Sequence, residues 1–563
     1  MRMPLFNPPT TGTWFKDKEH WSRPISGSFG SIYTRALTDG LKVSAAEYGE
    51  IEIWDFAVVA NVPYGSPSWL GVAADRTDDI DAQLQEGNPR VAAAIARSES
   101  IWEERPWRTE LQHWDTHWKP ALADGNRALQ AVDPASLDDE MLAAHLELAA
   151  RHLYRAMYCH HALNNSCHVP VGDFLSRGSR LVDGTPLQLI NLLKGTATVS
   201  AGARRELALV GNAIAQNATA TAILEGGENG ARTLEILQNL DAELSDAVAQ
   251  YVDAIGWRPL SGYDVTDPTA NEVPEVILSS IQNMLQSTYL EETTPAVKDE
   301  LRKLRQTVSP KARSEFDALL SEAHLVYRLR DERTFYGDGW ATGLLRRALR
   351  AAGRRLADRG QLSNPEHIFD LTVEEVATLT VYRAGPTRHD VTARANNRQR
   401  ITVDEAPDRL GPEMTFPILD WLPASAQRLH DAIQETNLHM FAAKADTADN
   451  AHRIQGLAAS PGDYVGTARI VSAPEDLKRV LPGDVIVAPT TSPAYNIVLP
   501  IIGAIVTDRG GLLSHAAIVS REQHIPAVVS TGEATRRLKD GALVRVNGHE
   551  GWVEEVLVTL NLA

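Results

Sequence analysis

Apolar residues recur along this chain with two different periods, and the change falls near residue 450. From about residue 80 to residue 440 they return every three or four positions, the spacing of an amphipathic helix. The clearest stretch runs from Leu137 to Leu163, where Leu142, Leu146, Leu153 and Met157 share one face. Ser136 is placed to cap it, with Asp139 three residues on in the manner of a capping box. A second long helix is predicted from Trp340 to Asp358, with Gly360 as its stop. Residues 1–75 are rich in Trp, Pro and Gly and read as irregular with some strand. There Ile51-Glu52-Ile53-Trp54-Asp55-Phe56 alternates apolar and acidic side chains.

Beyond residue 450 short β-rich runs alternate with short helices and Gly-Pro turns. Val485-Ile486-Val487-Ala488, Ile501 to Val506, Ala527-Val528-Val529 and Leu543-Val544-Arg545-Val546 read as strands, and Ser514 to His524 as a helix between two of them. The expected organisation is an irregular, β-containing N-terminal part (1–75), a helical domain (76–435), a hinge (436–454, centred on Thr436 to Arg453) and a compact α/β domain (455–563). No internal repeat and no low-complexity tract interrupts it.

Composition narrows the class. A chain of 563 residues is too long for one ordinary core. Hydrophobic residues at 43% and charged residues at 23% are those of a soluble globular protein. A net charge of -18 argues against a nucleic-acid surface, which needs clustered Lys and Arg. Met1 to Gly12 has no apolar core for a signal peptide, and no apolar run reaches the ~18 residues of a membrane span. With only Cys159 and Cys167, no disulfide framework is possible. The expected location is the cytoplasm, with neither nucleic acid nor membrane as partner.

The segment richest in chemistry is Thr507-Asp508-Arg509-Gly510-Gly511-Leu512-Leu513-Ser514-His515-Ala516-Ala517-Ile518. A buried strand runs into two glycines, which allow another group to approach the backbone closely. A helix then starts at Ser514 or His515, and its first N–H groups and dipole suit a phosphate anion. A neutral imidazole there is a nucleophile toward phosphorus, and the N–P bond it forms stays reactive enough to pass the group on.

The surrounding residues carry a resemblance. The run continues through Arg521-Glu522, Ile525-Pro526-Ala527-Val528-Val529, Thr531, Ala534-Thr535, Leu538, Gly541, Val544 and Gly551. Upstream stand Ser460-Pro461-Gly462, Gly466, Pro482-Gly483 and Pro493. This is similar to the swivelling phosphohistidine domain of the enzymes that use or make phosphoenolpyruvate, a family that includes phosphoenolpyruvate synthase, pyruvate phosphate dikinase and rifampin phosphotransferase. The resemblance implies that His515 is the phosphorylated residue, supported by Gly510, Gly511, Ser514 and Arg521. Asn547 departs from it, standing in a turn where an Asp would precede the Gly.

The middle of the chain resembles the helical substrate-binding domain of rifampin phosphotransferase and its relatives. Leu193 to Leu207, Gly256-Trp257-Arg258 with Asp264 and Pro274, Leu329-Arg330-Asp331-Glu332, Arg346 to Leu356 and Asn364 to Leu371 carry this likeness, with Trp257 where a His is expected. The implied fold is a mainly α-helical substrate-binding domain followed by a C-terminal α/β swivelling phosphohistidine domain. The phosphoenolpyruvate enzymes continue into a (β/α)8 barrel of ~250 residues, whereas this sequence ends shortly after Val558. The expectation is therefore that it neither makes nor consumes phosphoenolpyruvate itself. Those families also carry an ATP-grasp domain ahead of the histidine domain. Here no Gly-x-x-x-x-Gly-Lys loop occurs, and Gly226-Gly227-Glu228-Asn229-Gly230 reads as an interhelix loop.

This order resembles phenylphosphate synthase and the two-component system that phosphorylates 4-alkylphenols such as 4-cresol. It implies a separate ATP-grasp subunit that uses Mg²⁺ with ATP, and a small phenol or aromatic alcohol as acceptor. It further implies AMP and phosphate as by-products, and no tightly bound cofactor in this chain. The alternatives are a phosphocarrier or regulatory protein, and a phosphotransferase for another acceptor such as an antibiotic.

Two further constellations bear on the acceptor. His145, His152, His160, His161 and His168 crowd one region with Cys159 and Cys167, but the spacing fits no familiar zinc pattern and no metal is expected. By helical geometry His160 falls on the apolar stripe, as a satisfied core histidine or a pocket residue. Trp14, His20, Trp21, Trp54 and Trp69 supply aromatics that either fill a core or line a pocket for a flat ring. Glu19 to Pro24 resembles the start of the same substrate domain. His20 and Arg258, with Trp21 and His160 beside them, are the expected contacts to the reacting hydroxyl or the incoming phosphoryl group, since the acceptor must lose a proton as it attacks.

Overall fold

The computed structural model describes residues 6–18, 20–76, 78–196, 204–226, 230–260, 262–286, 294–441, 453–472, 474–491, 495 and 498–556. The chain forms two units, each assembled from separated stretches of sequence. The first comprises Met1–Asp173, Asp264–Thr266 and Glu332–Gln434, and the second Phe174–Tyr263, Asp267–Asp331 and Glu435–Ala563. The helical stretch 76–435 is thus shared between them.

In the first unit, strands β1 (Trp14–Lys16), β2 (Glu52–Val59), β3 (Val62–Trp69) and β4 (Arg409–Leu410) form a sheet in the order β2-β3-β1-β4. The alternation read in Ile51 to Phe56 does not become a buried and an exposed face. All of β2 is half-buried, and the Trp54 indole folds back to donate to Glu52 at 2.8 Å. The helix Gly27–Tyr48 is capped by Ser26, which accepts from the Phe29 N–H. It crosses the helix Asp139–Ala162 at Gly40, where a Cβ would lie 2.7 Å from that of His161. The second helix starts later than Ser136 predicts. Pro134–Ser136 closes a separate 3-10 turn capped by Asp133, and Asp138 caps the helix by accepting from the Met141 N–H at 2.8 Å. An Asp at this position also opposes the positive end of the helix dipole. The second long helix is Gly339–Asp358, with Gly360 beyond it at φ +74°. A π-turn, Thr334–Asp338, precedes it.

The second unit holds an eight-stranded sheet. Its strands are β5 (Arg453–Gln455), β6 (Leu457–Ser460), β7 (Asp463–Ile470), β8 (Val485–Ala488), β9 (Ala504–Thr507), β10 (Ala527–Val529), β11 (Leu543–Asn547) and β12 (Trp552–Glu555), in the order β5-β12-β11-β7-β8-β9-β10-β6. β7, β8, β9 and β10 run parallel and the remaining pairs antiparallel. The strand expected from Ile501 begins only at Ala504. A 3-10 turn, Leu499–Ile501, precedes it, and Gly503 passes under the Tyr464 ring with room for no Cβ. One face of the sheet packs Val485, Val487, Val506 and Val544 together. On the other, Ile486, Leu499, Ile502, Ala516 and Val519 share a single core with Val210, Ile214, Val248, Ile277 and Ile281 from the helices Arg204–Ala215, Ala242–Ile255 and Pro274–Gln286.

The stretch read as a hinge begins as helix. Ala424–Met440 continues through Thr436 because Leu429, Ala432, Thr436 and His439 keep one face buried. Residues 442–452 lie outside the described residues, and Arg453 already belongs to β5. The helix Ala218–Glu225 ends at Gly226 and the next begins at Gly230, with 227–229 outside the described residues. Among the described residues no single helix is long and apolar enough to cross a membrane.

Candidate active site

β9 delivers the chain to a tight turn. The Asp508 carboxylate accepts from the Thr531 hydroxyl at 2.9 Å and the Thr535 N–H at 3.2 Å, which fixes the strand end. Gly510 then takes φ +99°, and a Cβ there would lie 2.8 Å from the Ser514 Cβ. Glycine is required on both counts. The Gly511 N–H donates to the Met440 carbonyl at 2.8 Å and the Leu513 N–H to that of His439 at 2.7 Å, so the turn is held by the helix end before it. Ser514 caps the helix His515–Gln523, its hydroxyl accepting from the Ala517 N–H.

His515 is the first residue of that helix, half-buried, with Nδ1 3.1 Å from the Thr491 hydroxyl. Burial, and then the charge of Arg330, push its imidazole down to about 3. The ring is therefore neutral at physiological pH and holds a lone pair for nucleophilic attack. Arg330 follows Leu329 in the short helix Leu329–Arg333 and donates from Nη2 to the Leu513 carbonyl at 2.6 Å. Its Nη1 is buried with no hydrogen-bond partner among the described residues. A buried guanidinium N–H without an acceptor is costly. The positive charge of Arg330 acts on the imidazole, and with the helix start it gives surroundings complementary to an anion such as phosphate.

Gly510, Gly511, Ser514 and His515 thus come together as expected. Arg521 lies on the same helix but on a different side. Its buried guanidinium donates to the Ala459 carbonyl of β6 at 3.0 Å and interacts with Tyr327. It fastens the helix to the sheet, and the cation whose charge reaches the imidazole is Arg330. Neither Arg330 nor Thr491 stands out in the sequence. The Leu329-Arg330-Asp331-Glu332 run is visible there, but an Arg in a helical stretch ordinarily faces water. Pro493 lies outside the described residues. Asn547 does the work of a turn residue, accepting from the backbone N–H groups of His549 and Glu550 at 3.0 and 2.8 Å.

The residues expected at the acceptor fall in both units. His20, Trp21 and His160 belong to the first unit and Arg258 to the second. Arg258 donates to the Ala254 carbonyl at the end of the helix Ala242–Ile255. His20 sets Nδ1 2.9 and 3.0 Å from the two carboxylate oxygens of Asp17. Trp21 is buried against Phe29 and Tyr33, with ring centroids 5.9 and 5.2 Å away. His160 lies 3.2 Å from Asp338 and 4.6 Å, ring to ring, from His161. His161 is half-buried, and its imidazole is driven well below its usual range by desolvation and then by His160, Arg333, His20 and His168. His152 is pushed down to about 4 by burial and pairs with Asn126. Among the described residues no group of three or more His, Cys, Asp or Glu is arranged to hold a metal ion.

Two family models match the chain. The mobile domain of PEP-utilising enzymes covers residues 480–551, and the fourth domain of rifampicin phosphotransferase covers residues 172–331. The chain is 29% identical to the uncharacterized phosphotransferase YvkC of Bacillus subtilis over 319 residues, 55% of this chain and 36% of that protein. It is also 29% identical to the rifampicin phosphotransferase of Streptomyces sviceus over 326 residues, 55% of this chain and 34% of that one. Identity rises to 46% over 101 residues with the phosphoenolpyruvate synthase of Aeropyrum pernix, 18% of this chain and 12% of the relative. The chain thus spans about a third of the two phosphotransferases it matches over the longer stretch. The stretch around His515 thus matches the mobile domain of PEP-utilising enzymes, and the helical stretch that brings Arg330 to it matches the fourth domain of rifampicin phosphotransferase.

Proposed function

We propose that this chain accepts a phosphoryl group from ATP on His515 and transfers it to a small phenol or aromatic alcohol such as 4-cresol. In this reading the ATP and its Mg²⁺ sit on a separate ATP-grasp subunit, as in the two-component phenol-phosphorylating systems that the chain resembles. The net reaction is ATP, acceptor and water to aryl phosphate, AMP and phosphate. The observation that carries the reading is the neutral imidazole at a helix start with a buried, part-unpartnered Arg330 beside it. The Thr491 hydroxyl engages Nδ1, which favours Nε2 as the atom that takes the phosphoryl group. There the helix start and Arg330 offset the new negative charge, the main service a protein provides in phosphoryl transfer. To reach ATP on another protein, the domain carrying His515 has to leave the helices it packs on.

The test combines the chain with its ATP subunit and ATP labelled at the β position. Acid-labile, alkali-stable label is expected on wild type and none on His515→Ala. Label that persists in the variant sinks the assignment. A second reading, an antibiotic acceptor, is favoured by the fourth-domain match to rifampicin phosphotransferase. AMP release across 4-cresol, phenol, benzyl alcohol and a macrolactam antibiotic separates the two: turnover with the macrolactam alone selects the antibiotic.

A further inference from the structure

The helix that begins at His515 is gripped at both ends by the helical stretch of its own unit. At its start, Arg330 donates to the Leu513 carbonyl at 2.6 Å. At its end, the Glu522 carboxylate accepts from the Gly195 N–H at 2.9 and 3.1 Å, and Lys194 Nζ lies 2.8 Å from Nε2 of His524, 330 positions along the chain. An ammonium only donates, so the His524 ring is the acceptor. Both sides are shaped for the contact. Leu192 and Leu193 are buried, and the Leu192 carbonyl accepts from His324 Nε2 at 2.8 Å, which anchors the turn after the helix Pro186–Asn191. Gly195 then takes φ +84°, a conformation that suits glycine. Across from it, Glu522 stands in the last turn of the helix His515–Gln523, where the helix dipole opposes a carboxylate. The Gly195 N–H and Lys194, on which the Glu522 charge acts, offset that cost.

We infer that Lys194 and Gly195, gripping Glu522 and His524, form a latch that holds the His515 domain on the helical stretch and sets how often it leaves. The inference rests on the proposed function, in which that domain has to leave to meet ATP. The apolar core shared by the sheet and the helices Arg204–Ala215, Ala242–Ile255 and Pro274–Gln286 supplies most of the hold. Apolar attraction is not directional, so it does not by itself fix where the helix His515–Gln523 lies. Hydrogen bonds are directional, and those at the two ends of the helix fix its position. The Lys194 and Gly195 contacts lie at the exposed rim, where they open without disturbing the core. A contact of this kind tunes the docked state without making it permanent.

The test uses the full chain and two readings. In hydrogen–deuterium exchange, Glu522→Gln and Lys194→Ala should each speed exchange in peptides covering 186–196 and 515–524 by about 2- to 10-fold, the range for exposed and charge-assisted contacts. Strands β7 and β8 should exchange as in wild type. In the second reading, Lys194→Cys and His524→Cys are combined and joined by a short reducible bis-maleimide. Labelling of His515 by ATP and the ATP subunit should stop in the joined protein and return on reduction. Unchanged exchange in both single variants, or full labelling of the joined protein, overturns the latch. Absence of label on His515 in wild type is instead a failure of the proposed function, and the exchange reading then still decides whether these residues hold the domain.

Discussion

Arg330 and His515 meet across the seam between a helical segment and the α/β domain of one unit, and the charge of Arg330 helps hold the imidazole of His515 neutral. The guanidinium is fixed by its bond to the Leu513 carbonyl, two residues before the imidazole. The charge of Arg330 disfavours a cationic imidazole, and on the proposed function it would favour an anionic, phosphorylated one. Arg330→Ala is expected to raise the imidazole pKa toward its ordinary value near ~6.5, read by NMR titration of the ring. A charge-assisted hydrogen bond contributes about 1.5–3 kcal/mol. The phosphorylated form should lose that amount of stabilisation, seen as a lower steady-state level of label.

The depressed imidazole also makes the packing of this domain sensitive to pH. Its folded value of about 3 lies below the unfolded value, so between the two the unfolded chain binds a proton that the folded one refuses. Stability from this group is complete above ~6.5 and is lost as pH falls toward the folded value. The slope is at most about 1.4 kcal/mol per pH unit, and less because the ring is half-buried. Urea denaturation of wild type and His515→Asn at neutral pH and near pH ~5 should show wild type losing more. Equal losses would mean the ring is solvated enough to titrate normally.

Gly510→Ala should destabilise the turn by about 1–3 kcal/mol, since it forces a side chain into a positive-φ conformation. It also drives a Cβ against Ser514. Ser514→Ala removes only the cap, at about 0.5–2 kcal/mol. Both variants should label more slowly, and Gly510→Ala the more so, because it displaces the helix start on which His515 stands.

The His515 turn was legible in the sequence because it is local: a strand, two glycines, a capping serine and a helix fall within a dozen residues. Arg330 was not, because its role depends on packing with residues far along the chain, and no periodicity reveals that. The same limit explains the two units. Asp264 stands in a short crossing to the first unit, and its carboxylate accepts the Ser26 N–H at 2.7 Å, a pairing that no local pattern announces. Ser136 misled for a different reason. Two adjacent turns each carried a plausible cap, and the choice of Asp138 depends on where Pro134 ends the first of them.

Arg398 and Asp370 form a two-point ion pair in the first unit, with contacts of 2.6 and 3.1 Å and side chains 17% and 1% exposed. Removing one partner of such a pair leaves a buried charge without compensation, which costs about 3–5 kcal/mol. Asp370→Ala should fall in that range by chemical denaturation. Replacing both residues with apolar ones should cost much less than the single change. A single variant within about 0.5 kcal/mol of wild type would mean that the pair contributes nothing.

Glu50 gives a pH effect of opposite sign. It lies just after the helix Gly27–Tyr48, accepts a hydrogen bond from the Asn165 amide, and burial raises its carboxyl from 4.5 to about 7. The folded state therefore holds a proton that the unfolded state has released. The stability this group contributes is fully present below 4.5 and is lost as pH rises through about 7. Glu110 is also raised by burial and acts in the same direction, so wild type alone cannot isolate Glu50. Glu50→Gln can, because the amide stays neutral and still offers an oxygen to Asn165. The two proteins should unfold at similar temperatures in mild acid, and the variant should be the more stable in mild alkali. A difference in melting temperature that does not change with pH would place the Glu50 carboxyl in water and refute its burial as the cause.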